Sequence, residues 1–139
     1  MKLAIVYWSA TGNTEAMADA VEAGAKAAGA QVDKYEASEF NSSKLGDYDS
    51  IALGCPAMGT EELEDTEFQP MFDDIKNSLS GKKTGLFGSY DWGDGEWMRT
   101  WQSECEDLGI NLVSDGVIAN NEPNEEAIAN CEALGKALA

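Results

Sequence analysis

The chain has 139 residues, 43% of them hydrophobic, so it is long enough for one domain with a buried core and too apolar for a disordered chain. Its net charge of −17 argues against nucleic acids and anionic membranes as partners, which are bound through Lys and Arg, and favours a basic protein partner. The sequence has no His, which excludes Ser-His and Cys-His catalysis and most zinc sites.

The cysteines point to a reducing compartment. There are three cysteines, Cys55, Cys105 and Cys131, and none of them form a Cys-x-x-Cys pair. Neither a disulfide framework nor a metal site is therefore indicated. The N-terminus has a strand-like pattern without a secretory signal, and no apolar run approaches the roughly 18 residues of a membrane span. We therefore expect a cytoplasmic protein with reduced thiols.

Short apolar runs alternate with helical patterns along the chain. The predicted strands are 3–8, 31–36, 50–54, 83–89 and a last strand over 111–113 and 117–119 with a kink between its parts. The predicted helices are 14–28, 41–45, 68–79, 96–108 and one opened by Asn124. Spacing places Ala28, Trp97 and Leu108 on buried helix faces.

This alternation predicts one α/β domain over residues 1–139, with a five-stranded parallel sheet covered by helices on both faces. Ligands bind such sheets beyond the carboxyl ends of the strands. The loops after Trp8, Gly54, Ser89 and Ala119 are therefore the candidate sites.

The first of these loops has the composition of a phosphate site. Ser9, Thr11, Asn13 and Thr14 surround Gly12 between a strand and a helix, whose N-terminus carries free N–H groups and partial positive charge. Neither a Walker A motif nor Gly-x-Gly-x-x-Gly is present, so any phosphate would be held by neutral donors. An ordinary helix cap explains the same residues about equally well.

Two further loops carry side chains suited to a flat ring. Met58 follows Gly54-Cys55-Pro56-Ala57, and its thioether would suit an aromatic face, although a surface loop is the simpler explanation. Tyr90 and Trp92 lie among glycines and acids, which favours stacking on a planar ligand. Together the three loops outline a planar aromatic ligand with one phosphate, which is the outline of flavin mononucleotide (FMN).

Longer motifs carry a family resemblance. They are Ile5-Val6-Tyr7-Trp8-Ser9-Ala10-Thr11-Gly12-Asn13-Thr14-Glu15, Leu53-Gly54-Cys55-Pro56-Ala57-Met58-Gly59, Gly81-Lys82-Lys83, Gly85-Leu86-Phe87-Gly88-Ser89-Tyr90, Trp92-Gly93 and Gly95-Glu96-Trp97-Met98. Over its whole length the chain resembles the short-chain flavodoxins of anaerobic bacteria. The resemblance implies a flavodoxin-like three-layer sandwich with strand order 2-1-3-4-5. It also implies a monomeric, low-potential one-electron carrier that uses FMN and is not an enzyme.

The resemblance assigns a role to each loop. The phosphate loop would be Ser9, Ala10, Thr11, Gly12, Asn13 and Thr14. Pro56 and Ala57 would line the ribityl chain, with Met58 on one ring face and Trp92, next to Gly93, on the other. The Gly59–Thr60 peptide would flip on reduction and place the Gly59 carbonyl at flavin N5, stabilising the neutral semiquinone, while Glu61 would bond the N3 edge. The remaining expected contacts are Ser89, Tyr90, Asp91 and Asn121.

Two positions depart from the pattern, because relatives often carry Gly where Ala10 and Asp91 stand. Ala10 requires a negative φ, and Asp91 adds negative charge near the ring. One charge about 10 Å away in water opposes reduction to the anionic hydroquinone by roughly 0.4 kcal/mol, about 20 mV. The acidic run 61–67 would lower the potential further and dock basic redox enzymes, although a solvated face explains it too.

Two other functions remain open at this point. An FMN-dependent enzyme of the quinone-reductase type would need a nicotinamide site and a substrate pocket above the ring, and no catalytic acid–base pair stands out. A phosphorylation receiver would need Asp residues clustered at strand ends, but the first strand ends in Tyr7-Trp8-Ser9.

Overall fold

In the computed structural model, which describes residues 1–59 and 61–139, the chain forms a parallel β-sheet between two layers of helices. The strands are β1 (Lys2–Tyr7), β2 (Gln31–Glu36), β3 (Ser50–Gly54), β4 (Lys83–Tyr90), β5 (Asn111–Leu112) and β6 (Val117–Asn120). The helices are α1 (Asn13–Ala27), α2 (Ser42–Leu45), α3 (Phe68–Ile75), α4 (Glu96–Asp107) and α5 (Glu125–Leu138). Short 3₁₀ turns cover Ala37–Glu39 and Lys76–Ser78.

The strand order is β2-β1-β3-β4-β5, as predicted, and β6 also pairs with β4. The predicted last strand is divided in two. Lys83 of β4 pairs with Asn111 of β5, whereas Phe87 of β4 pairs with Val117 of β6. The chain leaves the sheet at Ser114-Asp115-Gly116, where Gln102 accepts a hydrogen bond from the backbone of Gly116. The kink therefore turns one edge strand into two short ones.

The two sheet faces bury separate cores, because side chains alternate along each strand. On β1, Leu3 and Ile5 pack on the face that carries α1 and α5, and Ala4 and Val6 on the face that carries α3 and α4. Trp97 is buried as predicted. Among the described residues, no helix has the length and apolar character that a membrane crossing requires.

Two of the predicted inward residues point to solvent. Leu108 is 37% exposed, and Ala28 is also exposed. Each is the C-cap of its helix, α4 and α1 respectively, so the helical spacing that predicted its burial has already ended.

Candidate functional site

A pocket of about 160 Å³ opens at the carboxyl ends of β1, β3 and β4, where the fold predicts a ligand. It unites parts of all three predicted loops. The lining residues are Ser9, Ala10, Thr11, Asn13, Thr14, Pro56, Ala57, Met58, Ser89, Tyr90, Asp91 and Asn121. No basic side chain occurs among them.

The start of α1 keeps hydrogen-bond donors available. Gly12 has a φ of 93°, which turns the chain into the helix without a side-chain cap. The hydroxyl of Ser9 accepts from the backbone N–H groups of Gly12 (3.2 Å) and Glu15 (3.3 Å). Among the described residues, the N–H groups of Asn13 and Thr14 meet no acceptor and lie at the pocket wall.

The phosphate loop is joined to the carboxyl end of β4 by a buried hydroxyl pair. The hydroxyl oxygens of Thr14 and Ser89 are 3.0 Å apart, and the backbone N–H of Ser89 donates to the Thr14 hydroxyl over 3.4 Å. Ser89 in turn accepts a bond from the backbone of Ala57 (3.0 Å). These bonds fix three pocket walls relative to one another.

The loop after β3 forms a tight hairpin. Met58 and Glu62 exchange backbone hydrogen bonds of 2.8 and 2.9 Å, and between them Gly59 and Glu61 have φ values of 52° and 62°. The predicted site residue Thr60 lies outside the described residues. The hairpin places Met58 in the pocket wall.

The Glu61 side chain connects this hairpin to the loop before α4. Its carboxylate accepts a hydrogen bond of 2.8 Å from the backbone N–H of Trp97, in the first turn of α4. It also lies against Gly93, where an added Cβ would be 1.8 Å from Glu61 Oε1. Gly93 has a φ of 91°, so both its backbone and the neighbouring carboxylate require glycine.

The loop before α4 presents one exposed and one buried tryptophan. Trp92 is 63% exposed, as its surroundings in the sequence predicted. Trp97 lies in the core, donates through Nε1 to the carbonyl of Cys55 (3.2 Å) and packs against Tyr90 with ring centroids 5.5 Å apart.

Sequence reasoning missed Asn120, which holds this loop from the end of β6. Its side-chain amide donates to the carbonyls of Tyr90 (3.3 Å) and Asp91 (3.1 Å), and the neighbouring Asn121 backbone donates to Tyr90 over 2.7 Å. The signal was present in the sequence, because an amide at a strand's carboxyl end is typical of loop anchoring.

The two departures from the family pattern fit the backbone. Neither Ala10 nor Asp91 is among the non-glycine residues with positive φ, which are Glu61 and Asn121. Both side chains are exposed at the pocket edge.

Two buried groups near the pocket, the Tyr7 phenol and the Cys55 thiol, are held neutral. Burial, with a hydrogen bond to Glu15 next in effect, raises the pKa of Tyr7 to about 12. Burial also raises the pKa of the Cys55 thiol well above its usual range. Cys55 is thus a protonated core thiol at neutral pH, and the pocket has no thiolate nucleophile from this residue.

The predicted site residues that the structure describes fall into two groups. Twelve of them line the pocket. Gly12, Gly59, Glu61, Trp92 and Gly93 lie in the same loops but outside the pocket lining. The unaccepted N–H groups at the start of α1 fit a phosphate, and the thioether of Met58 and the exposed indole of Trp92 fit a planar ring. The residues present therefore fit FMN.

Comparison with known proteins gives a consistent result. A model of the flavodoxin family matches residues 5–134. A flavodoxin of Megasphaera elsdenii is 50% identical over 97% of this chain and 96% of its own, and one of Clostridium beijerinckii is 44% identical over 97% of each.

Solved structures agree with these sequence relatives. The solution structure of two-electron reduced Megasphaera elsdenii flavodoxin is 49% identical, with a TM-score of 0.89 over 98% of this chain and 97% of that one. Oxidised flavodoxin 2 of Bacillus cereus is 31% identical, with a TM-score of 0.86 over 99% and 97%. The enzyme alternative is therefore not favoured. The chain belongs to the flavodoxin family and is an electron carrier that works through bound FMN.

Proposed function

We propose that the pocket binds FMN with the phosphate at the start of α1. The observation that carries this is the pair of backbone N–H groups of Asn13 and Thr14, which meet no acceptor within the described residues. The hydroxyls of Ser9 and Thr11 add donors, and Ala10 and Gly12 let the chain pass close to the anion. A phosphate would be stabilised by the helix dipole without help from a basic side chain.

The other two loops complete the proposed site. Pro56 and Ala57 would line the polyol chain, and Met58 and Trp92 would cover the ring faces. Glu61 and the Gly59–Thr60 peptide would supply polar groups at the ring edge, and Gly93 makes room for Glu61. The outer contacts would come from Ser89, Tyr90, Asp91 and Asn121. When bound, FMN supplies the ability to take up and release one electron at a time.

We further propose that the carrier works at low potential. Exposed carboxylates occur on or next to the loops that follow β3, β4 and β6, on the residues Glu62, Asp65, Glu67, Asp91, Asp94, Glu96 and Glu122. Each of these carboxylates would oppose the addition of negative charge to the bound flavin, by roughly 0.4 kcal/mol at about 10 Å in water. Of the cations described, Arg99 is bound to Asp94 (3.0 Å), and Lys2, Lys82 and Lys83 lie at the opposite, amino ends of the strands.

The same carboxylates would dock basic redox enzymes, with a salt-dependent association rate. Replacing Asp65 and Glu67 by Asn and Gln should flatten that salt dependence, measured by stopped-flow electron transfer to a basic acceptor such as cytochrome c. We expect residues 1–139 to work as one domain, as a monomer and in the cytoplasm, where the buried cysteines stay reduced.

Stepwise anaerobic reduction of the FMN-loaded protein tests the proposal. Two separate one-electron steps in a potentiometric titration, with the second at low potential, would support it. A single two-electron step would contradict it. Met58→Ala and Trp92→Ala should weaken binding of riboflavin, which has the ring without the phosphate, in a fluorescence titration.

A further inference from the structure

Glu64 is a buried carboxylate that the proposed site does not use. Its residue is 4% exposed, although it lies within an acidic run whose members Glu62, Asp65 and Glu67 are exposed. A buried carboxylate is costly unless hydrogen bonds compensate it, so its surroundings need an explanation.

The carboxylate of Glu64 accepts hydrogen bonds from the backbone N–H groups at the start of α3. One oxygen accepts from the backbone N–H groups of Glu67 and Phe68, each over 2.8 Å. The other accepts from the backbone N–H of Thr66 (2.8 Å) and from the Thr66 hydroxyl. Four donors thus fix one side chain, which makes its position well defined.

The backbone of Glu64 is fixed as firmly as its side chain. Its N–H donates to the sulfur of Cys55 (3.4 Å), directly after β3, and its carbonyl accepts from Gln69 (2.8 Å) in α3. Glu64 is therefore fastened to both elements that border the hairpin.

The hairpin depends on this fixed point. A single residue, Leu63, separates Glu64 from Glu62, and Leu63 itself packs against the core. Glu62 exchanges two backbone hydrogen bonds with Met58, which lines the pocket. Because Leu63 is packed and Glu62 is bonded to Met58, a displacement of Glu64 would also displace Met58.

We propose that Glu64 is a positioning residue for the FMN ring, acting through the Met58–Glu62 hairpin and without touching the cofactor. This inference rests on the proposed site, in which Met58 covers one ring face. The neighbouring link from Trp8 Nε1 to the Glu67 carboxylate (3.1 Å) extends the same anchoring to the end of β1.

Glu64→Gln tests the inference, because the amide keeps the shape of the carboxylate but turns an N–H₂ group toward backbone donors. We expect the dissociation constants of FMN and riboflavin to rise by the same factor, about tenfold or 1.4 kcal/mol. The gap between the two one-electron midpoint potentials should also shift, which lost stability alone would not cause. Leu138→Ala is the matched control, since it removes buried side-chain volume at the far end of α5.

Milder variants keep the test valid if Glu64→Gln fails to fold. Thr66→Ala removes one donor to the carboxylate and should weaken riboflavin binding in the same direction, whereas Thr66→Ser should restore it. If Glu64→Gln or Thr66→Ala lowers stability as Leu138→Ala does but leaves both affinities and both potentials unchanged, the inference is overturned. If wild type binds no FMN, or Met58→Ala leaves riboflavin binding unchanged, the proposed site itself fails.

Discussion

The starts of α1 and α3 solve the same problem in opposite ways. Each presents backbone N–H groups that the helix cannot pair. At α3 the protein supplies its own anion, the Glu64 carboxylate, which accepts bonds from Thr66, Glu67 and Phe68. At α1 the first-turn N–H groups of Asn13 and Thr14 meet no acceptor among the described residues.

At the other helix starts, one side chain accepts one backbone N–H, as Ser9 accepts that of Glu15 in α1. Glu61 accepts from Trp97 in α4, Asn124 from Ala127 in α5, and Asn41 from Ser43 in α2. Among the described residues, a carboxylate therefore accepts from the starts of α3 and α4, whereas a neutral amide caps α2 and α5. The start of α1 differs from that of α3 because its two N–H groups without an acceptor belong to residues that line the pocket, so the proposed phosphate site depends on the absence of a carboxylate there as well as on the residues present.

Placing a carboxylate at the first residue of α1, in the pocket lining, should have the largest effect. In Asn13→Asp, the new carboxylate would oppose the FMN phosphate by about 3 kcal/mol for unit charges 5 Å apart at an effective dielectric constant of 20. We expect FMN affinity to fall more than about a hundredfold. The apoprotein should gain about 0.3–1 kcal/mol in free energy of unfolding, because the charge favours the helix start.

The control for this variant is Asn41→Asp, which makes the same change at the start of α2, away from the pocket. Fluorescence titration with FMN and urea unfolding of the apoprotein measure the two effects. If Asn13→Asp binds FMN with the affinity of the wild type, the phosphate does not lie at the start of α1.

Displacing Glu61 from the start of α4 should have the next largest effect. In Gly93→Ala the new methyl would lie 1.8 Å from Glu61 Oε1, so the carboxylate would lose the Trp97 N–H. Gly95→Ala is the matched control, because Gly95 has the same φ of 91° but its nearest contact would be Ile118 at 3.3 Å.

Both Ala variants are destabilised by the left-handed backbone, so the difference between their free energies of unfolding isolates the Glu61 contact. We expect Gly93→Ala to be less stable than Gly95→Ala by about 1.5–3 kcal/mol, the usual cost of a lost bond to a charged group. Equal unfolding free energies in urea would mean that the Glu61 bond contributes nothing.

The sequence predicted the sheet and the loops of the pocket because both depend on local patterns. Apolar runs of strand length and helical spacing identified the elements, and the errors at Ala28 and Leu108 lie where a helix ends and its spacing stops. Loop composition identified the polar residues of the first loop, Met58 and Tyr90, and the family resemblance supplied the other residues that line the pocket.

The same patterns could not separate the acidic residues of the run from 61 to 67. Glu61 binds α4, Glu64 is buried at α3, and Asp65 is exposed, yet all are carboxylates in one loop. The burial and the hydrogen bonds of each carboxylate depend on which helix start its side chain reaches, and only the folded chain determines that.

The pH dependence of stability should reveal the anion at α3. Burial alone would raise the pKa of Glu64, but the hydrogen bonds from Thr66, Phe68 and Glu67 outweigh it and leave the pKa below the ordinary 4.5. A depressed pKa gives stability that is fully present above pH 4.5 and is lost as the pH falls through the folded-state value.

We therefore expect wild type to be more stable than Glu64→Gln above pH 4.5, with the difference shrinking at lower pH. Urea unfolding of both apoproteins from pH 7 to pH 3 measures it. Subtracting the two curves removes the other depressed carboxylates, Glu22 and Asp73, which are common to both proteins. A difference that stays constant with pH would mean that Glu64 is not ionised in the folded protein.

Removing the cap of α5 should have the smallest effect and tests whether a helix cap outside the pocket lining matters to FMN binding. Asn124 accepts one hydrogen bond from Ala127 (2.9 Å), so Asn124→Ala should cost about 1 kcal/mol in urea unfolding. Asn124 lies three residues after Asn121 but does not line the pocket. We expect FMN affinity to stay within about twofold of wild type, as for independent sites. A larger loss of affinity would mean that the cap of α5 also holds Asn121 in place at the pocket wall.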